Sequence, residues 1–244
     1  MTGRPSARAQ GAPQTGKRAA ASRPPALSPA TARRAVAELR AKASAPPPSG
    51  IGLRLYTPEG ARKYITAGER AAFLHAAEQA ERRVRTLCMT LAYAGCRLSE
   101  ALALTADRVD LAAGVVVFES LKKRRRGLYR AVPVPPALLE ALDLVHGLRE
   151  LHARRGQGRG VRLWPWSRMT GWRAVHRVMQ AAGLEGPQAS PKGLRHGLGV
   201  AAVSAGIPLN LVQKWLGHAQ LTTTAIYADA IGAEEQDIAR RMWE

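Results

Sequence analysis

A group of side chains near the end of the chain has the types that phosphodiester chemistry requires. In chain order they are Lys192, Arg195, His196, His218 and Tyr227. Displacement at a phosphodiester needs cations to bind the phosphate oxygens, a hydrogen-bond donor for the charge that develops, and a nucleophile. Arginine and lysine can supply the cations, His218 the donor and Tyr227 the nucleophile. The combination indicates breakage and transfer of DNA strands.

The spacing of these residues adds to what their types indicate. Lys192, Arg195 and His196 fall on about one turn of a predicted helix. His218 ends a Leu-Gly-His step, and Tyr227 follows it by nine positions.

Most of the chain is predicted to be helical, so helices must position these groups. Apolar periodicity predicts helices over residues 67–80, 84–95, 99–104, 136–154, 170–182 and 233–244. Residues 115–118 and 128–134 are predicted to form two antiparallel strands. The predicted fold is therefore mainly α with a small antiparallel β-hairpin sheet, in the α+β class. On the helix over 170–182, Trp172 and Val175 are expected to face the core rather than to stack on bases.

An arginine and a glutamate lie at a predicted corner between two helices. Arg97 follows the break at Gly95, and Glu100 comes one turn later. A carboxylate three residues from an arginine can hold its guanidinium by paired hydrogen bonds and leave the other edge for a phosphate. By itself such a pair is most often a surface ion pair, so its weight comes from its surroundings.

The loop between the two predicted strands is strongly basic. It contains, in order, Lys122, Lys123, Arg124, Arg125 and Arg126. One interpretation is a solvated basic loop, or by motif a nuclear localisation signal. The other is a loop inserted against DNA that delivers one lysine to a reacting phosphate. The surrounding residues favour the second.

Composition agrees with a polyanionic partner. The chain has 37 Lys and Arg against 18 Asp and Glu, a net charge of +19, which favours nucleic acid. Biased codon usage could explain the choice of arginine over lysine, but the excess charge would still act on a partner. No apolar run is long enough to span a membrane and no signal peptide is predicted, so we expect a cytoplasmic, nucleoid-associated protein.

The cysteines and two further histidines carry no predicted chemistry. Cys88 and Cys96 are expected to be buried thiols, because two cysteines make no disulfide framework and no spacing indicates a zinc site. His146 and His152 lack ligand spacing and are expected to be ordinary surface or hydrogen-bonded residues.

The first 55 residues differ from the rest of the chain. Residues 1–55 are basic and rich in Pro and Ala, and they are predicted to be a mostly disordered arm with one possible helix over 28–43. Residues 56–244 are predicted to form the catalytic domain. The arm could lie along a DNA backbone or be a solvated tail, and the sequence leaves both open.

Taken in order, the motifs resemble a known family. Arg97 with Glu100, a lysine between two strands, Lys192-x-x-Arg195, the Leu-Gly-His step and Tyr227 are similar to the catalytic domain of the tyrosine recombinase (phage integrase) family. The resemblance covers about residues 57–244. It implies a site-specific recombinase or integrase that acts on double-stranded DNA without cofactor, ATP or metal. It also implies assembly of a dimer to tetramer on DNA through the C-terminal helix.

The resemblance assigns a role to each matching position. Tyr227 would attack the scissile phosphate to give a 3′-phosphotyrosyl bond and a free 5′ hydroxyl. Arg97 and Arg195 would bind the non-bridging oxygens, and His218 would donate a hydrogen bond to the same phosphate. Lys122, with Lys123 as the alternate, would protonate the departing 5′ oxygen. The alternatives are an accessory DNA-binding protein that retains the fold, and a type IB-like topoisomerase.

Two features depart from the family pattern, the residue at position 192 and the segment that precedes the catalytic domain. Lys192 stands where the family usually has histidine, so we expect it to contact phosphate, and the group that activates Tyr227 stays open. His196 is predicted to contact DNA, together with Lys123, Arg124, Arg125 and Arg126. On a helix, however, its side chain would point about 100° away from that of Arg195, and a histidine in that direction usually has a structural role. Family members commonly carry a helical core-binding domain ahead of the catalytic one, where this sequence has the arm.

Overall fold

Helices form most of the fold, which a computed structural model describes for residues 55–120, 127–154, 159–228, 240 and 242–243. The helices are α1 (Ala67–Glu78), α2 (Arg82–Ala94), α3 (Leu98–Leu102), α4 (Pro136–His146), α5 (Leu148–Ala153), α6 (Arg168–Ala181), α7 (Pro191–Ser204), α8 (Leu209–Leu216) and α9 (Thr222–Ala225). The predicted helix over 28–43, the basic residues 122–126 and most of the helix over 233–244 lie outside the described residues. None of the described helices is long and apolar enough to cross a bilayer.

A three-stranded antiparallel sheet is the β part of the fold. It comprises β1 (Val109–Asp110), β2 (Val115–Glu119) and β3 (Tyr129–Pro133) in that order. The predicted hairpin corresponds to β2 and β3, paired from Val115 opposite Pro133 to Glu119 opposite Tyr129. The predicted fold class is confirmed. The two-residue β1 was not predicted. In the turn that connects it to β2, the Asp110 carboxylate accepts hydrogen bonds from the N–H groups of Ala112 and Ala113.

Two details of the predicted helices are wrong. The helix predicted over 136–154 breaks at Gly147, which has a left-handed φ of +63°. The next helix starts there because the Asp143 carboxylate, 2.8 Å away, accepts from the backbone N–H of Arg149. Trp172 does not face the core as predicted. It is 38% exposed and stacks on His176, while Val175 is buried.

The reason for the exposure of Trp172 lies at Gly171. A Cβ at position 171 would lie 3.0 Å from the Leu102 side chain, so α6 approaches α3 on its glycine side. The neighbouring Trp172 is therefore turned outward.

Two clusters of buried side chains make the core. The larger lies between α2, α6 and the sheet and includes Phe73, Leu87, Phe118 and Trp164. Cys88 and Cys96 belong to it, as predicted, and burial raises the pKa of both thiols to about 12. His146 and His152 are hydrogen-bonded, to the Thr86 hydroxyl and the Ala106 carbonyl respectively.

The smaller cluster, called here the tyrosine cluster, surrounds the predicted nucleophile. Its buried members are Leu55, Tyr64, Val200, Val212, Leu216 and Tyr227. They come from the segment before α1, from α7 and α8, and from the residues after α9. Helix α7 therefore has one side in each cluster, with Leu194 in the larger and Val200 in the smaller.

Helix α7 packs against main chain through glycines. A Cβ at Gly193 would lie 1.8 Å from the carbonyl oxygen of Gln188, and one at Gly197 would lie 2.2 Å from that of Ile65. Neither oxygen can move away as a flexible side chain would, so these glycines fix the depth at which Arg195, between them, enters the protein.

We predict that Gly197→Ala destabilises the domain by about 1–3 kcal/mol, because the added Cβ must displace backbone. The measurement is the free energy of unfolding in urea. The matched control is Gly68→Ala on α1, where a Cβ would meet nothing within 4 Å. It should leave the domain unchanged or stabilise it by roughly 0.5–1 kcal/mol through helix propensity. Equal effects of the two substitutions would contradict the packing described here.

Candidate active site

Arg97 and Glu100 lie at the start of α3, as their spacing predicts. One carboxylate oxygen of Glu100 accepts from the Arg97 guanidinium at 2.7 Å, and the other accepts from the Arg97 backbone N–H at 2.9 Å. The guanidinium therefore makes one hydrogen bond to Glu100 rather than the expected pair. The Arg97 side chain is 27% exposed, so part of its charge faces solvent.

Glu100 also receives a second arginine. Its Oε2 accepts from Nη2 of Arg130 at 2.6 Å. The Glu100 side chain is fully buried. Burial alone would raise its pKa, but the hydrogen bond and charge of Arg130, together with those of Arg97, keep that pKa below its ordinary value. Glu100 is therefore a buried carboxylate anion at neutral pH.

Arg195 is held by two backbone carbonyls. Its Nη1 donates to the Gly95 oxygen at 2.8 Å and its Nη2 to the Leu216 oxygen at 2.5 Å. Burial and then the charge of Arg97 lower its pKa to about 10. The guanidinium stays protonated at neutral pH, and its place between the ends of α2 and α8 is fixed.

His218 lies just beyond the end of α8. Gly217 ends this helix with a left-handed φ of +65°. The His218 Nδ1 is 2.9 Å from the Thr224 hydroxyl oxygen, which ties the residue to α9. Its ring stacks on Tyr227 with centroids 6.0 Å apart and planes 20° apart.

Tyr227 is buried, with 2% of its surface exposed. Its hydroxyl oxygen is 3.2 Å from Nδ1 of His196. Its ring occupies space that Gly199 leaves empty, since a Cβ at position 199 would lie 2.5 Å from the ring carbon Cζ. Burial raises the pKa of the phenol to about 12, although the charges of Arg195 and Arg97 oppose this. The Tyr227 phenol is thus close enough to Arg195 and Arg97 for their charges to act on it, but it is shielded from water and is a weaker acid than an exposed tyrosine.

The remaining predicted residues have different surroundings. Lys192 is exposed on the first turn of α7. His196, expected among the DNA-contacting residues, is instead 3% exposed and contacts Tyr227. Burial, followed by the charges of Lys192, Arg195 and Lys63, lowers the His196 pKa to about 4, so the ring is neutral. Residues 122–126, which include the predicted lysine, lie outside the described residues.

Arg130 is the residue of this site that the sequence analysis missed. A signal was present: alternation along β3 places Arg130 on the same face as Val132, where a charged side chain is unusual. No group of three or more His, Cys, Asp or Glu among the described residues is arranged to hold a metal ion.

Arg97, Arg195, His218 and Tyr227 are thus brought together from distant parts of the sequence. A sequence model of the phage integrase family matches residues 63–233. The chain belongs to the phage integrase family. This agrees with the resemblance that the ordered motifs indicate.

Relatives of this family member include the tyrosine recombinases XerD of Mycobacterium leprae and Pseudomonas aeruginosa. The first is 36% identical over 158 residues, 59% of this chain and 47% of the relative. The second is 34% identical over 170 residues, 65% of this chain and 53% of the relative. The chain spans about half the length of these curated relatives.

Solved structures show the same fold. A XerA recombinase superposes with a TM-score of 0.61 at 24% identity, over 74% of this chain and 65% of that one. A XerH site-specific recombinase, bound to palindromic difH substrate in a post-cleavage complex, gives 0.58 at 25% identity, over 74% of this chain and 53% of that one.

We predict that His196→Asn makes stability less dependent on pH. The folded-state pKa of about 4 lies below the ordinary 6.5, so the histidine's contribution is complete above pH 6.5 and is lost as the pH falls toward 4. Between pH 6.5 and 4.5 the variant should lose about 2 kcal/mol less than the wild type. Asparagine can keep a polar contact with Tyr227 but cannot become charged.

The measurement is urea unfolding at a series of pH values, with surface His75→Asn as the control. Part of the dependence should persist in His196→Asn, because burial also lowers the pKa of His146 to about 4. Identical pH profiles for His196→Asn and the wild type would rule out the buried, neutral His196.

Proposed function

We propose that this protein is a site-specific DNA strand transferase that breaks and rejoins DNA through Tyr227. The observation that carries the proposal is the convergence of Arg97, Arg195 and His218 on this one phenol. The charges of both arginines act on its ionisation, and the histidine ring stacks on it. Such a set can bind a phosphate and attack it.

In the proposed reaction Tyr227 displaces the 5′ oxygen of a DNA phosphodiester. The phenol loses its proton as a bond forms between its oxygen and phosphorus, the bond from phosphorus to the 5′ oxygen breaks, and that oxygen takes up a proton. A phenol with an ordinary pKa of about 10 is also a good leaving group, so a 5′ hydroxyl can reverse the step. The broken bond's energy is kept in the phosphotyrosyl bond, and we propose that no ATP or metal is needed.

The positive groups would act at different points on the phosphate. Arg97 has the more exposed guanidinium and would contact a non-bridging oxygen directly, while the rigidly held Arg195 would stabilise the charge that develops. His218 would donate a further hydrogen bond. Lys192 is exposed on α7 and would bind a neighbouring phosphate. Lys122, or Lys123 as the alternate, would supply the proton for the 5′ oxygen.

Tyr227 would have to leave its buried position before it reacts. With 2% of its surface exposed, it cannot reach a phosphate on a duplex. Helix α9 has only four residues, so the segment that carries the tyrosine is short, and moving it would break the contacts of Thr224 with His218 and of Tyr227 with His196. We propose that DNA binding moves this segment and exposes the phenol to the phosphate that the arginines bind.

Double-stranded DNA is the proposed partner. The net charge of +19 supports this, as does the XerH relative bound to its difH substrate. Assembly of a dimer to tetramer through residues 233–244 is part of the same proposal. The burial of Tyr227 is the observation that favours the rival function, an accessory DNA-binding protein, so the test must separate binding from catalysis.

We predict a covalent protein–DNA adduct that depends on Tyr227. The protein is incubated with a supercoiled plasmid carrying the DNA that flanks its own gene, quenched with detergent, and examined for adduct and topoisomers. Wild type should form adduct and Tyr227→Phe should form none, since phenylalanine keeps the packing but has no nucleophile. Tyr64→Phe is the matched control, because Tyr64 is also buried in the tyrosine cluster.

Adduct in Tyr227→Phe would overturn the assignment of the nucleophile. Binding to the plasmid with no adduct in any variant, repeated on nicked flanking DNA, would favour the accessory function. Relaxation of plasmids that lack the flanking DNA would favour the topoisomerase alternative.

We also predict that Gly199→Ala makes Tyr227 accessible, because the new Cβ occupies the place of its ring. The measurement is nitration by tetranitromethane, followed by mass spectrometry of the peptides. Tyr227 should react slowly in wild type and several-fold faster in the variant. Tyr129 is 55% exposed and is the internal control, with equal rates in both proteins. An unchanged Tyr227 rate in a folded variant would show that Gly199 does not determine the burial.

A further inference from the structure

Arg130 is a buried arginine with contacts in three parts of the site. It lies on β3, opposite Phe118 of β2, and is 8% exposed. Burying a guanidinium is costly unless it is paired and hydrogen-bonded. The groups that pair with Arg130 therefore indicate what its side chain does.

Its hydrogen bonds lead to two of the groups proposed to bind phosphate. Nη2 donates to Glu100, the carboxylate that also binds Arg97. Nε donates to the carbonyl oxygen of Trp215 at 2.8 Å, in the last turn of the helix that precedes His218.

The rest of the guanidinium supports the corner before His218. A Cβ at Gly217 would lie 3.0 Å from Nη1 and 3.1 Å from Cζ of Arg130, so Gly217 packs closely against the guanidinium. Nη1 is buried and has no hydrogen-bond partner among the described residues. A shift of the Arg130 guanidinium would therefore displace both the carbonyl of Trp215 and the turn at Gly217.

Arg130 and Arg97 both pair with Glu100, but they differ in exposure. The Arg130 side chain is 6% exposed against 27% for Arg97. Among the groups that lower the pKa of Glu100, Arg130 acts most strongly. Because Arg130 neutralises much of the carboxylate's charge, Arg97 keeps net positive charge on its exposed side for an anion.

The strand that carries Arg130 adds a third connection. β3 follows directly after the segment with the basic residues 122–126, and Ser120 and Leu128 close its base by a backbone hydrogen bond of 2.8 Å. One side chain thus links the strand that leaves the basic loop, the carboxylate of Arg97 and the turn of His218.

We propose that Arg130 is a positioning residue, which fixes Arg97 and His218 relative to each other so that both can bind one phosphate. The role of that phosphate rests on the proposed function. Arg130 itself does not touch the reacting atoms; it acts through Glu100 and through the end of α8.

The test uses the full chain without DNA, so it is independent of the unknown target site. The variants are Arg130→Gln, which removes the charge, and Arg130→Lys, which keeps the charge but lacks the planar fork whose separate nitrogens reach Trp215 and Glu100. The control is Arg108→Gln, because the hydrogen bonds of Arg108 within the described part of the chain go to Glu119 and Tyr129 of the same sheet rather than to Glu100 or α8. Inorganic sulfate is the anion probe, and nitrogen-15 labels on arginine and histidine report on Arg97 and His218.

We expect the Arg97 and His218 resonances to move in both Arg130 variants, and the dissociation constant for sulfate to rise about tenfold, which corresponds to about 1.4 kcal/mol. Arg108→Gln should leave both unchanged. In an Arg97→Lys background, Arg130→Gln should cause a smaller further loss of sulfate affinity than in the wild type, because the part of its effect that passes through Arg97 is already removed.

Three results would overturn the proposal. They are unmoved Arg97 and His218 resonances in a folded Arg130 variant, equal and independent losses of affinity in the Arg97→Lys background, and unfolding of both Arg130 variants, which would show a general structural role. A protein that shows the expected coupling but never forms a DNA adduct would refute the proposed function and leave this inference standing.

Discussion

The buried carboxylate of Glu100 is the interaction on which the candidate site depends. It accepts from the Arg97 backbone, from the Arg97 guanidinium and from Arg130, so three donors from one helix and one strand meet at two oxygens. Removing one partner of a buried ion pair costs about 3–5 kcal/mol, because the other charge is left uncompensated. The geometry of α3 against the sheet is therefore fixed by electrostatics as well as by packing.

The second constraint comes from the ends of two helices. Arg195 donates to the carbonyls of Gly95 and Leu216, which lie at the C-terminal ends of α2 and α8. The last carbonyls of a helix lack partners within it and carry the negative end of its dipole. One guanidinium thus provides a donor to one carbonyl at each of the two ends. Since Gly95 and Gly217 have left-handed backbones, the polypeptide can turn away from the helix axis immediately after each of these two helices.

Sequence patterns predicted the fold class and most residues of the candidate site. The features that they did not predict were missed for physical reasons. Periodicity could find α2 and the β2–β3 hairpin, but β1 has two residues and shows no alternation. Apolar residues continue past Gly147, so the break there was hidden. The contacts of Arg130 with Trp215 and of His196 with Tyr227 join residues 85 and 31 positions apart. No local pattern records such pairs, nor does spacing reveal that Tyr227 is buried.

The arginines around Glu100 have a consequence for the lifetime of the protein. Arg97, Arg130 and Arg195 all act on this carboxylate, and the mutual repulsion of cations that it leaves unbalanced weakens the folded state. An anion that binds there removes the repulsion and adds its own binding free energy to folding. Copies bound to a polyanion should therefore resist heat and proteases longer than free copies, so turnover in the cell would remove unbound molecules first.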